Sequence, residues 1–213
     1  MSGKTSWVTE LMSAEEDGMF DRELGQTYYF YRVRQSGRSE ALGGAQFQFE
    51  GLPTMQWMRE TLGVPRAALT HGEGEKRKTP TVIIDDQGTD ITMETANLFT
   101  VASHHFRCNI ICIVHSLFGK TPAHRLMSLN SKYLVIFKNP RDQSTIERLA
   151  RQVDPGNVRR FVSIYRDATL HPYSYLFVDL AQETKEDYRL RSNILFERGP
   201  YVILYKRERQ REL

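Results

Sequence analysis

Apolar positions along this chain fall into short continuous runs separated by stretches with helical spacing. Val82, Ile83 and Ile84 follow Thr81 without polar alternation and read as a strand buried on both faces. Asn109 to Val114 and Tyr133 to Phe137 read the same way, and Tyr175 to Val178 is a further strand ending in Asp179. Upstream, Thr27 to Tyr31 is a strand rich in aromatic residues, which belong to the core before they form any base-stacking platform. Phe47 to Phe49 is a short alternating strand stopped by Gly51 and Pro53. Helices are predicted over Trp7 to Met12, Met55 to Leu62, Thr92 to Phe106 and Ala123 to Leu129. In the third of these, Met93, Ala96, Asn97 and Thr100 recur at helical spacing. The strongest helix signal follows: Ser144 and Glu147 form a capping box, and Ile146, Leu149, Ala150 and Val153 share one face. Asp154-Pro-Gly156 ends that helix, and Val158 to Tyr165 begins another. Arg189 to Arg191 and Tyr201 to Tyr205 close the pattern.

Strands alternating with helices predict an α/β fold whose mainly parallel sheet is covered on both faces. The strand ends at Asp85, His115, Lys138 and Asp179 are then neighbours along one edge. The 213 residues suit a single domain, with a flexible loop at about 64–80 and a charged tail over 206–213. Within that loop His71 to Lys78 is charged and Gly-containing; Glu73 and Glu75 dilute its basic character as a DNA contact.

Composition changes little: 40% hydrophobic and 26% charged residues are ordinary for a soluble globular protein. A net charge of +3 permits a nucleic-acid partner without arguing for one. No run approaches the ~18 consecutive apolar residues of a membrane helix, and Glu10 interrupts the only apolar stretch a leader could use. No membrane partner is therefore expected. Cys108 and Cys112 on one strand stand roughly 13 Å apart, too far for a disulfide. Two reduced thiols in an apolar strand point to an intracellular compartment.

The candidate chemistry begins at Asp85 and Asp86, where the Val82 to Ile84 strand emerges. A carboxylate is costly to bury without a partner, and ligands of open α/β sheets bind at the carboxyl ends of strands. A hydrophobic strand ending in Asp-Asp is thus a candidate Mg²⁺-nucleotide site, provided a phosphate loop exists elsewhere. Gly3-Lys4-Thr5 is the closing half of G-x-x-x-x-G-K-[ST]. The opening glycine, and the strand that should precede it, would lie upstream of Met1. By itself the tripeptide reads as a chain terminus.

Several further segments join these two: Glu50-Gly-Leu-Pro53, Leu98-Phe-Thr100, Ser103-His-His105, Ser116-Leu-Phe118 and Ser128-Leu-Asn130. They continue through Phe137-Lys-Asn-Pro-Arg-Asp142, Leu149-Ala-Arg-Gln152, Asp167-Ala-Thr169 and Arg189-Leu-Arg191. In order and spacing the set resembles the genome-packaging ATPases of large eukaryotic DNA viruses and of Polinton-like or adintovirus-like elements, within the FtsK–HerA class of P-loop NTPases. The resemblance runs from Gly3 to about Phe196. It implies a three-layer P-loop NTPase fold (RecA/ASCE-like) lacking its first strand and half of the phosphate loop. It also implies an ATP-dependent DNA packaging or translocation motor, a P-loop NTP hydrolase using ATP and Mg²⁺, in a host nucleus or cytoplasm. Its partners would be double-stranded DNA, contacted through phosphates, and further copies of itself in a ring.

The resemblance implies a role for each matching residue. Gly3, Lys4, Thr5 and Ser6 bind the nucleotide phosphates, Thr5 and Asp85 hold Mg²⁺, and Asp86 orients or deprotonates the attacking water. His115 stands where this class typically has a Gln that senses the γ-phosphate, and Asp86 where Glu is commoner. A neighbouring subunit supplies an arginine, Arg141 first and Arg125 second; Arg141 could equally pair with Asp142. Two other functions stay open. The chain could be a catalytically degenerate P-loop protein acting as an assembly or DNA-binding partner, or a piece of a complete ATPase that begins further upstream.

Overall fold

The computed structural model describes residues 3–14, 20, 23–32, 45–63, 78–85, 91–102, 105–119 and 121–206. It divides into two compact units, one of Thr5–Asn130 and one of Met1–Lys4 with Ser131–Leu213.

The first unit is α/β. Helix α1 (Lys4–Ser13) precedes strands β1 (Leu24–Tyr31) and β2 (Ala45–Glu50), helix α2 (Met55–Thr61) and strand β3 (Thr79–Asp85). Helix α3 (Met93–Asn97), strand β4 (Asn109–Ile113) and helix α4 (Pro122–Asn130) complete it. The four strands form one parallel sheet in the order β2-β1-β3-β4. The β-branched run of β3 occupies an interior position, and Val82, Ile83 and Ile84 are fully buried. That is the environment an apolar run without alternation demands, at about 1.5–3 kcal/mol per buried side chain.

Alternation within the strands assigns their faces. Tyr28 and Phe30 of β1, with Val82 and Ile84 of β3, join Met58 of α2, Leu98 and Cys108 in one cluster. The Trp57 ring meets Phe30 edge-on at 4.8 Å and Tyr28 at 5.2 Å, locking α2 to this face. Thr54 caps α2 by accepting a hydrogen bond from the Trp57 N–H. Tyr29, Ile83 and Asp85 point to the opposite face, where α1 arrives. A smaller cluster joins Ile91 and Ala96 to Ala123 and Met127 of α4.

The helix expected over Thr92 to Phe106 is α-helical only through Asn97 and then widens into a π turn over Leu98–Ala102. Its inward residues are Thr95, Ala96 and Leu98, whereas Met93 is 48% exposed. Met93 and Thr95 both precede the widened turn, so the buried face already departs from the predicted one within α3.

The second unit corrects the expectation of one mainly parallel sheet. Strands β5 (Tyr133–Phe137), β6 (Tyr175–Asp179), β7 (Leu190–Ser192) and β8 (Ile203–Leu204) form a separate antiparallel sheet in chain order. Between β5 and β6 lie two helices, α5 (Gln143–Val153) and α6 (Val158–Ala168), joined by a 3-10 turn over Pro155–Asn157. One helix returns the chain to start a parallel strand, whereas a packed pair returns it to the end it left, so the next strand runs backward. Phe137 accordingly pairs with Tyr175 and Tyr133 with Asp179, which puts Lys138 and Asp179 at opposite ends of the β5–β6 pair rather than along one edge.

The predicted face of α5 is buried at Ile146, Leu149 and Ala150, and α6 adds Phe161, Ile164, Tyr165 and Ala168. The cap of α5 is not Ser144, however. Asp142 holds that position, accepting from the Thr145 N–H at 3.2 Å and the Thr145 hydroxyl at 2.6 Å, while Glu147 pairs with Arg151. A carboxylate outcompetes a serine hydroxyl for donors at a helix N-terminus because it also meets the positive end of the dipole. Arg191 pairs with the buried Asp179, and Arg189 bonds Glu186 and the Asp179 and Ala181 carbonyls, the structural roles surface arginines usually fill. No helix among the described residues is long and apolar enough to cross a membrane.

Candidate functional site

The site is built where β3 ends beside the start of α1. Gly3, at φ +77°, turns the chain in a left-handed conformation just before the helix. Lys4 and Thr5 then open α1, half-buried, with Ser6 exposed next to them and Trp7 and Val8 buried. This puts the Thr5 hydroxyl within 3.2 Å of Asp85 Oδ2, a bond between residues 80 positions apart. Two halves of the motif pair read from the sequence are therefore in contact.

Asp85 is only 5% exposed, so its carboxylate needs partners from the protein. Thr5 supplies one. The second is Tyr29, whose hydroxyl donates to the same Oδ2 at 2.7 Å in a buried setting. The strand register explains the reach. Tyr29 lies beside Ile83 and Tyr31 beside Asp85, so Tyr29 and Asp85 share a face, one step apart diagonally. Sequence reasoning placed Tyr29 in the core and missed this contact. The signal existed in the period-two alternation of β1, but it acquires meaning only once β1 is known to neighbour β3.

His115 lies two residues past Ile113, the residue beside Asp85, and is exposed. The structure thus brings it to the same end of the sheet. Arg125 is exposed on α4. Arg141 is exposed in the second unit, its backbone N–H donating to Asn139 Oδ1 at 3.2 Å, while the neighbouring Asp142 is occupied by Ser144 and Thr145. Asp86, Ser103, His104 and most of the predicted loop and tail (64–77 and 207–213) lie outside the described residues.

The donor set fits Mg²⁺. Thr5 and Asp85 offer a hydroxyl and a carboxylate, both hard oxygen ligands, and this ion bound with a nucleotide takes one or two protein ligands beside phosphates and water. No group of three or more His, Cys, Asp or Glu among the described residues forms a cage able to hold a metal unaided. Nearby, burial and then the Asp85 charge push the Cys112 thiol up to about 12, and burial alone does the same for Cys108. Neither cysteine is in a disulfide and both are protonated at neutral pH, as core filler should be.

Among known proteins, no family model, no curated sequence and no solved structure matches this chain.

Proposed function

We propose that the chain is a subunit of an ATP-dependent motor that packages or translocates DNA for a virus or virus-like mobile element. The observation that carries this reading is the Thr5–Asp85 contact, which joins the Lys-Thr turn of a helix start to a carboxylate at a strand end. In it, the Lys4 ammonium balances charge on the β- and γ-phosphates, and the N–H groups of Gly3 to Ser6 hold phosphate oxygens at the opening of α1. Thr5 and Asp85 hold Mg²⁺, which supplies charge neutralisation across the phosphates when bound. Asp86 orients the attacking water, His115 donates a hydrogen bond toward the γ-phosphate, and Arg141 of a neighbouring subunit in a ring meets the developing charge. DNA is gripped through its phosphates, so binding weakens steeply with salt and ignores sequence.

The test is titration of purified protein with ATP in the presence and absence of Mg²⁺, followed by phosphate release. Wild-type protein binds and hydrolyses ATP only with Mg²⁺, and Lys4→Ala or Asp85→Ala removes both. Absence of Mg²⁺-dependent binding by wild-type protein refutes the reading.

One observation favours a second reading, a catalytically degenerate P-loop protein serving as an assembly or DNA-binding partner. Asp85 Oδ2 already accepts from two protein hydroxyls, so the cluster can act as a structural latch between α1 and the sheet without any ion. DNA binding that is indifferent to ATP and Mg²⁺ is its signature.

A further inference from the structure

We infer that Tyr29 is a positioning residue for the Asp85 carboxylate, setting the orientation in which Asp85 meets a cation held with Thr5. The inference rests on the nucleotide reading above and extends it to a residue no motif contains.

Tyr29 and Asp85 are both almost fully buried, at 6% and 5% exposure, and the 2.7 Å bond between them is the shorter of the two on Oδ2. The Tyr29 ring is itself held. It sits 5.9 Å from the Tyr31 ring on an interior strand of the sheet, and its neighbour Ile83 is fully buried. A phenol anchored in this way fixes the carboxylate about its Cβ–Cγ bond, with Oδ2 turned toward both hydroxyls. Neither hydroxyl reaches Oδ1, which leaves that oxygen to accept from water around a cation. Thr5 alone is a poorer anchor, because its own oxygen is the atom a cation would take. When it is so engaged, Tyr29 is the donor that keeps Asp85 from rotating. Outer-shell partners of this kind typically change metal affinity by about 10–100-fold when removed.

The deciding substitution is Tyr29→Phe, which removes the hydroxyl and keeps the ring. Calorimetric titration of ATP at a series of Mg²⁺ concentrations gives the Mg²⁺ needed for half-maximal binding. The expected result is an increase of about 10-fold or more in that concentration, with Tyr31→Phe behaving as wild type. A purely structural hydroxyl would lower thermal stability and leave the Mg²⁺ requirement where it was. Should Tyr29→Phe fail to fold, the wild-type protein with ¹³C-labelled tyrosine gives the second readout. The Tyr29 ring resonance shifts when Mg²⁺–ATP is added, and a resonance that does not move overturns the assignment. Wild-type Mg²⁺–ATP binding with an unaltered requirement in Tyr29→Phe overturns the role of Tyr29 and leaves the nucleotide reading standing. No Mg²⁺–ATP binding by wild-type protein overturns both.

Discussion

The strength of the two bonds on Asp85 can be ranked from their geometry and tested by double-mutant cycles in nucleotide-free protein. The Tyr29 bond, at 2.7 Å, lies at the most favourable O–H···O distance, whereas the Thr5 bond, at 3.2 Å, falls outside the range of about 2.5–3.0 Å. A hydrogen bond to a charged group contributes about 1.5–3 kcal/mol, and the burial of both Tyr29 and Asp85 leaves little water to substitute for it. The Tyr29–Asp85 coupling is therefore expected in that range, and the longer, half-buried Thr5–Asp85 coupling nearer ~0.5–1 kcal/mol. The variants are Tyr29→Phe, Thr5→Val and Asp85→Ala, singly and in the two pairs, so that cavity effects of Asp85→Ala cancel in each cycle. Urea unfolding followed by tryptophan fluorescence is the assay, because both tryptophans, Trp7 and Trp57, lie in the Thr5–Asn130 unit. A Thr5 coupling as large as that of Tyr29, or two couplings indistinguishable from zero, refutes the ranking. Adding Mg²⁺–ATP at a hundred times its dissociation constant should raise wild-type stability by about 2.7 kcal/mol, a gain that Thr5→Val loses.

Two further outcomes follow from groups outside that contact. Asp142 is held below the ordinary carboxylate range, chiefly by the Thr145 hydroxyl, so its folded pKa is depressed relative to the unfolded chain. The capping contribution is fully present above the unfolded value and fades as pH falls through the folded one. Asp142→Ala should cost about 1 kcal/mol at neutral pH and nothing extra at strongly acidic pH, and equal losses in urea titrations at both would contradict the cap. Cys108 and Cys112, both pushed up to about 12, should resist iodoacetamide at pH 8 in the native protein and react once urea is added. Rapid native labelling of Cys112, read by mass spectrometry, would show that its thiol is not shielded.

Much of the local structure is legible without coordinates. The predicted strands Tyr133 to Phe137 and Asn109 to Val114 match β5 and β4 to within one residue, and the buried face of α5 emerges from its spacing. These features depend on neighbours within a few positions, where sterics and periodicity act. The α5 cap shows the limit even there, since Asp142 and Ser144 both satisfy the compositional preference and only the competition between a carboxylate and a hydroxyl separates them.

By itself, the chain determined that Val82 to Ile84 would be buried on both faces, that Asp85 would close that strand, and that Trp7 to Met12 would be helical. Each follows from the side chains in place. What sits beside each strand is a different matter, because periodicity tells which face is apolar but not which neighbour covers it. Tertiary structure alone decided that β5 to β8 form a separate antiparallel sheet, since the direction of β6 depends on how α5 and α6 fold back on each other. It alone decided that Tyr29, 56 residues from Asp85, would share its carboxylate oxygen with Thr5. A buried charge must find donors wherever packing brings them. That choice is made by the register of β1 against β3, a long-range pairing that no local pattern encodes.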